Sequence, residues 1–194
     1  MSFLVFDTET TGLLDFQKPD DAPGQPRLAS YALLFVDDDL KVTAAHHGLV
    51  QPDGWEMPEA AGRVNGLTTE MLMVAGEGVR WPLSLFVKAL EEGRTLVAHN
   101  LAYDRRIMRG ELMRLGWPEA ERVPHGFCTM RGTTEQCRIP SPRGGWKWPK
   151  LHEAFSILLN RELHGAHGAL ADAMGCLDLL RWMKAQGTQI ESAA

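Results

Sequence analysis

The stretch Phe3-Leu4-Val5-Phe6-Asp7-Thr8-Glu9 sets four apolar residues directly before two carboxylates. A continuous apolar run fits a central strand buried on both faces. Residues two apart on a strand face the same side, so Asp7 and Glu9 should point together. Two carboxylates so placed repel each other unless a cation lies between them. By itself an Asp-x-Glu is commonly just an acidic turn. Its place at the end of a buried strand is what favours a cation.

Outward from this strand, the chain reads as alternating elements. Leu28–Val36 and Leu40–Val50 are predicted strands joined at Asp37-Asp38-Asp39, after an Asp/Pro/Gly-rich loop over Asp15–Pro26. Ala60–Val74 reads as partly helical, with Gly66 interrupting it and Thr68 as a candidate N-cap. Trp81–Glu91 is an amphipathic helix with Pro82 in its first turn and Gly93 beyond its end. Thr95–Ala98 and Phe127–Met130 are predicted strands, and Ala102–Leu115 a helix between them. Arg138–Pro149 is a Pro/Gly-rich loop, followed by helices at Pro149–Leu159 and Gly168–Lys184. Three strands followed by alternating strands and helices imply an α/β fold class with a mixed sheet. Ligands on such sheets tend to sit beyond the carboxyl ends of the central strands, and Asp7 and Asn100 are expected just past such ends.

Two more acids fall on apolar helical stripes. Asp104 lies three and four residues before Ile107 and Met108. Asp172 lies beside the stripe of Ala169, Ala173, Cys176, Leu177 and Leu180. A carboxylate on a buried face is costly unless paired or metal-bound, although Asp104 could equally cap its helix. His167, five residues before Asp172, fits a loop entering the last helix, as a base or as a structural hydrogen-bonder. Four acids on three separated elements, near one end of a sheet, suit Mg²⁺ or Mn²⁺ and not zinc. His125, Cys128 and Cys137 lack the spacing of a zinc site.

Composition bounds the rest. The chain has 194 residues, suited to a single domain over 1–186 with a flexible tail over 187–194. Three scattered cysteines suggest reduced thiols, and the absence of a signal-like N-terminus or long apolar run suggests a cytoplasmic protein without a membrane span. The net charge of −5 is unevenly spread: residues 105–150 carry ten Lys or Arg against four Glu, a local balance of +6. Such a basic sector can bind phosphates on an otherwise acidic protein, or it can be ordinary charge scatter. Trp146, Lys147 and Trp148 alternate aromatic and basic character beside Arg143 and Lys150. That pattern suits a single strand, with Lys147 as a phosphate contact, while the indoles could instead pin the loop to the core.

FDTETTGL at Phe6–Leu13, AHNLAYD at Ala98–Asp104 and HGALADA at His167–Ala173 together resemble the three motifs of the DEDDh 3′–5′ exonucleases. This superfamily includes the proofreading subunits of bacterial replicative polymerases. PEAAGRVNGLTTEML, from Pro58 to Leu72, resembles the segment joining the third strand to the helix before the second motif. The resemblance runs from about residue 3 to about residue 184, and the His-x-x-x-x-Asp spacing separates this branch from relatives that carry Tyr closer to that Asp. It implies a ribonuclease H-like fold with five central strands, the first three antiparallel. It also implies two divalent ions held by Asp7, Glu9, Asp104 and Asp172, with His167 as general base. Thr8, Thr10 and Leu13 would touch the terminal nucleotide, Leu13 wedging against its base unless it packs in the core, and Asn100 and Tyr103 are candidates for the same pocket. The Asp15–Pro26 and Arg138–Lys150 segments depart from the family pattern.

The implied reaction is hydrolysis at the 3′ end of a single strand, DNA favoured over RNA, releasing nucleoside 5′-monophosphates. A separate polymerase or replication protein is a candidate partner. An exoribonuclease of the same chemistry and a catalytically inactive nucleic-acid-binding module are the alternatives.

Overall fold

The computed structural model describes residues 2–164 and 168–190. In chain order the strands are β1 (Phe3–Thr10), β2 (Leu28–Val36), β3 (Val42–Leu49), β4 (Thr95–Ala98) and β5 (Phe127–Cys128). The helices are α1 (Glu59–Asn65), α2 (Thr69–Ala75), α3 (Arg80–Glu91), α4 (Leu101–Arg114), α5 (Thr129–Gly132), α6 (Thr134–Cys137), α7 (Leu151–Leu159) and α8 (Ala169–Ala185). They build a five-stranded mixed sheet in the order β3-β2-β1-β4-β5. The first three strands are antiparallel, and β4 and β5 run parallel to β1. No helix among the described residues is long and apolar enough to cross a membrane.

The apolar start of β1 is buried on both faces, and its alternation assigns each face a helix layer. Leu4 and Phe6 join a core with Phe86 of α3 and Ile107 and Met108 of α4. Phe3 and Val5 join a second core with Cys176, Leu177 and Leu180 of α8. The same alternation continues into the polar half of the strand. Asp7 and Glu9 therefore share the α8 face, and Thr8 and Thr10 share the α4 face.

Several boundaries differ from the sequence reading. β1 continues through Asp7 and Glu9 to Thr10, so Asp7 lies inside the strand and not past its end. Leu40 belongs to the β2–β3 turn, where it adopts a left-handed conformation, and β3 starts at Val42. Asp37 holds that turn by accepting from the N–H groups of Asp39 and Lys41. The strand expected over Phe127–Met130 stops at Cys128. Thr129 is fully buried against the end of β4, its hydroxyl meeting His99 Nδ1, and the chain turns there into α5. The Ala60–Val74 segment divides at Gly66 as expected. Gly66 closes α1 in the left-handed region, and the Thr68 side chain accepts from Met71 N–H to open α2.

The Asp15–Pro26 loop is clamped onto α4. Buried Asp20 pairs with Arg106 and, at 2.9 Å, with Arg109. The loop can lie this close because residue 110 is glycine: a Cβ there would stand 2.5 Å from the Asp20 carbonyl oxygen. Next to this contact, Glu111 is buried and accepts from Arg27 Nε at 2.8 Å, Arg114 Nη1 at 3.1 Å and Leu28 N–H at 3.1 Å. It thus anchors the start of β2 to α4. Its loss would leave two guanidinium groups without their counter-charge, a change that commonly costs several kcal/mol at a buried site. Both arginines keep some solvent, so Glu111→Ala should destabilise by about 2–4 kcal/mol. The check is the urea unfolding midpoint, which an inessential contact would leave unmoved.

Candidate active site

The site forms where β1 outruns its neighbour β4. β4 pairs with β1 only as far as Val5↔Val97. Further along, Thr8 N–H reaches the Asp104 carboxylate at 3.1 Å, and the Thr8 hydroxyl donates to the same oxygen at 2.7 Å. Asp104 is buried on the fourth residue of α4. Asp172 occupies the equivalent fourth position of α8, on the opposite face of the sheet. Each carboxylate thus sits in the first turn of a long helix, where the macrodipole favours negative charge.

Asp7, Glu9 and Asp172 each offer a carboxylate oxygen, and these atoms lie within 4.8 Å of one another. Asp104 stands beside this trio and adds to its field. Burial, and then the charges of Asp104, Asp172 and Glu9, push the Asp7 carboxyl well above its ordinary range. Glu9 is pushed up to about 7, again by burial first and then by Asp172 and Asp104. Asp104 is raised by burial, although its bonds from Thr8 pull the other way. The donor set is all carboxylate oxygen, crowded and partly desolvated. That chemistry fits a hard divalent cation such as Mg²⁺ or Mn²⁺. Asp104 is therefore a hydrogen-bonded member of the acidic group and not the N-cap of its helix, a position taken by Asn100.

A cleft of about 590 Å³ opens beside Glu9. One wall is the Thr8–Leu13 segment and the other is α1, with Ala61, Val64 and Asn65 facing in. Leu13 is 91% exposed, which removes the core-packing alternative for it. Tyr103 also lines the cleft. Its hydroxyl donates to the Gly12 carbonyl and lies 2.5 Å from Thr10 Oγ1, so α4 fixes the shape of the Thr10–Leu13 turn. Asn65 was not singled out by its sequence. It donates to the Thr10 carbonyl at 3.2 Å and accepts from Leu67 N–H at 3.1 Å, tying α1 to the same turn. An Asn directly before the Gly that ends a helix is a weak signal, since it is equally a capping residue.

The other expected site residues lie elsewhere. Asn100 heads α4 with φ of 80° and does not line the cleft. Lys147 forms an ion pair with Glu153 at 2.6 Å. Trp148 and Trp146 are 62% and 41% exposed, so the indoles do not pin their loop to the core. His167 lies outside the described residues. Part of the +6 balance is taken up by acids outside the window, because Arg106 and Arg109 pair with Asp20 and Lys147 with Glu153.

No curated protein matches the sequence. Among solved structures, E. coli exonuclease I in complex with a dT13 oligonucleotide superposes with a TM-score of 0.71 at 17% identity, over 94% of this chain and 41% of that one. The product-bound structure of exonuclease I gives 0.70 at 16% identity, over 95% of this chain and 43% of that one. The chain therefore spans less than half the length of these structures while sharing their ribonuclease H-like fold. The family model described as the RNase T exonuclease matches residues 4–180, a span that contains both halves of the acidic cluster. The chain belongs to the RNase T exonuclease family, within the DEDDh 3′–5′ exonuclease superfamily.

Proposed function

We propose that this chain is a metal-dependent 3′–5′ exonuclease that shortens single-stranded DNA stepwise and releases nucleoside 5′-monophosphates. The observation that carries this reading is the convergence of Asp7, Glu9 and Asp172 within 4.8 Å beside the cleft between Leu13 and α1. The cleft volume suits one nucleotide, and exposed Leu13 stands where a terminal base would meet an apolar edge. A site walled in this way takes an end more readily than the middle of a chain.

The reaction joins a water oxygen to the terminal phosphorus and breaks the bond to the 3′ oxygen of the preceding nucleotide. Bound divalent ions supply Lewis-acid relief of the charge on phosphorus and on the departing oxygen. Asp7, Glu9, Asp104 and Asp172 are the residues that would hold them. Thr8 keeps Asp104 aimed at the group, and Tyr103 and Thr10 fix the turn that carries Leu13. His167 is proposed as the base that takes the proton from water. The His167→Ala variant should then lose about two to four orders of magnitude in turnover, together with the acidic limb of the pH–rate profile. An unchanged limb in that variant would remove His167 from the role.

The electrostatics give a measurement independent of turnover. Without metal, the folded protein holds protons that an unfolded Glu9 releases above about pH 4.5. The cluster therefore favours folding at low pH and opposes it increasingly as the pH rises through about 7. In EDTA, the Tm of wild type should fall relative to that of Glu9→Gln between pH 5 and 8. Mn²⁺ should reverse the fall in wild type by binding the native state alone. Parallel pH curves for the two proteins, or no response to Mn²⁺, would count against a metal centre.

The activity itself is tested with end-labelled single-stranded DNA, duplex DNA and RNA in Mg²⁺ and Mn²⁺. Single-stranded DNA should shorten one nucleotide at a time, and a bulky 3′-phosphate ester should stop it. Asp7→Ala should abolish the ladder while leaving the folded state intact. Rapid cutting of a circular strand would identify an endonuclease, and preferential loss of RNA would move the substrate assignment to an exoribonuclease.

A further inference from the structure

The segment from Arg138 to Lys150 has a defined form that neither the acidic cluster nor the cleft uses. It is a tight excursion: Lys147 N–H donates to the Ile139 carbonyl at 2.9 Å, and Pro140 bridges Trp146 in antiparallel fashion. Gly144 and Gly145, both at positive φ, make the turn at its tip next to Arg143. Along the returning arm, Trp146 to Lys150, exposure alternates: Trp146, Trp148 and Lys150 are exposed, Lys147 is half-buried and Pro149 is buried.

Alternate side chains on an extended arm face opposite ways. Lys147 turns inward to Glu153 of α7. Trp146 and Trp148 therefore share the outward side, in agreement with their exposure of 41% and 62%. Arg138, Arg143 and Lys150 are exposed as well, and none of them has an ion-pair partner among the described residues. Two outward indoles flanked by three cations without an ion-pair partner among the described residues would be a poor choice for an ordinary solvated loop. Exposed aromatic area is costly there, and uncompensated charge of one sign repels itself.

The C-terminal end of the arm is tied to the active-site side of the fold. The Pro149 carbonyl lies 3.0 Å from His99 Nε2, one residue before Asn100 and the start of α4. A carbonyl only accepts, so Nε2 carries the proton and Nδ1 accepts from the Thr129 hydroxyl at 3.0 Å. Burial, the larger influence, lowers the His99 pKa to about 4, which keeps this neutral tautomer across the ordinary pH range. Leu151, the next residue after Lys150, packs toward Gly175, three positions beyond Asp172 on α8. The arm that carries the indoles thus ends beside His99, which precedes α4, and against α8.

We infer that the outward face of Trp146 and Trp148, with Arg138, Arg143 and Lys150, is the docking track for the part of a single nucleic-acid strand that trails away from the active site. The inference rests on the exonuclease reading for the placement of the strand's end. Its chemistry is that of sequence-tolerant single-strand binding, in which indoles stack on bases while cations follow the phosphates. Lys147 is a positioning residue: its bond to Glu153 orients the arm so that both indoles face out.

The test measures binding with hydrolysis switched off. Anisotropy of a 5′-fluorescein-labelled 20-nucleotide poly(dT) is followed in EDTA, against a 5-nucleotide strand. The Trp146→Ala/Trp148→Ala double variant should lose at least tenfold in affinity for the long strand, so that the advantage of length largely collapses. Arg143→Ala/Lys150→Ala should flatten the dependence of log affinity on log salt by about 1.4, the value for two lost single-strand phosphate contacts. Thermal unfolding of each variant confirms that the loop changes leave the fold in place. A wild-type length advantage and salt slope in both variants would overturn the inference. Hydrolysis by wild type in Mn²⁺ is scored separately. A wild type that binds through the loop but degrades nothing would refute the exonuclease reading and leave the track standing.

Discussion

Past Val5 the central strand has a strand neighbour on one side only, and a helix supplies what the missing neighbour would have given. The Asp104 carboxylate takes the Thr8 N–H and hydroxyl together, so the open flank of β1 is closed by an acid. A buried backbone donor without a partner would cost as much as a lost hydrogen bond. A buried carboxylate without donors would cost more. Each group satisfies the other, and the exchange fixes α4 against β1 at the point where Asp7 and Glu9 emerge on the opposite face. Tyr103, one residue earlier on α4, then reaches the Thr10–Gly12 turn and sets the wall of the cleft.

Charge is handled in two different ways across the molecule. Around Asp20 and Glu111, each acid is surrounded by guanidinium groups from α4 and from the start of β2. These clusters hold the long Asp15–Pro26 loop and need nothing from outside. Asp7 and Glu9, near the end of β1, have no such guanidinium partner among the described residues. Instead burial, and then the neighbouring carboxylates, push the pKa values of Asp7 and Glu9 up. Protein dipoles soften the repulsion, through Thr8 and the first turns of α4 and α8, but do not remove it. A fold that neutralises acids elsewhere crowds them here, an arrangement whose chemistry suits a divalent cation.

The positive sector read from residues 105–150 illustrates how linear charge counts mislead. Arg106 and Arg109 sit within it, yet they share Asp20, an acid that lies far away in sequence. Lys147, the cation singled out within the aromatic loop, is taken by Glu153. Alternation along an extended arm explains this: the partner of the inward residue leaves its two neighbours facing solvent. The indoles are therefore the available groups, where the sequence alone could have them serve as anchors to the core.

The order of the five strands and the longer helices, the split of the Ala60–Val74 segment at Gly66 and the four candidate acids were legible in the sequence, because each rests on local periodicity, on turn chemistry or on short motifs, whereas the short helices α5 and α6 were not. Apolar alternation along β1 determined that Asp7 and Glu9 share a face, since side-chain direction on a strand is set residue by residue. Other features required the folded chain. The end of the Phe127 strand depends on burying Thr129 against β4, and Leu13 is exposed because α4 and α1 hold its turn from both sides. Asn65 joined the cleft through a bond to Thr10, fifty-five residues away. The sequence determined which acids are candidates for holding a cation. Tertiary structure decided which of them meet and which charges remain free, because those outcomes depend on partners distant in the chain that compete for the same hydrogen bonds and counter-charges.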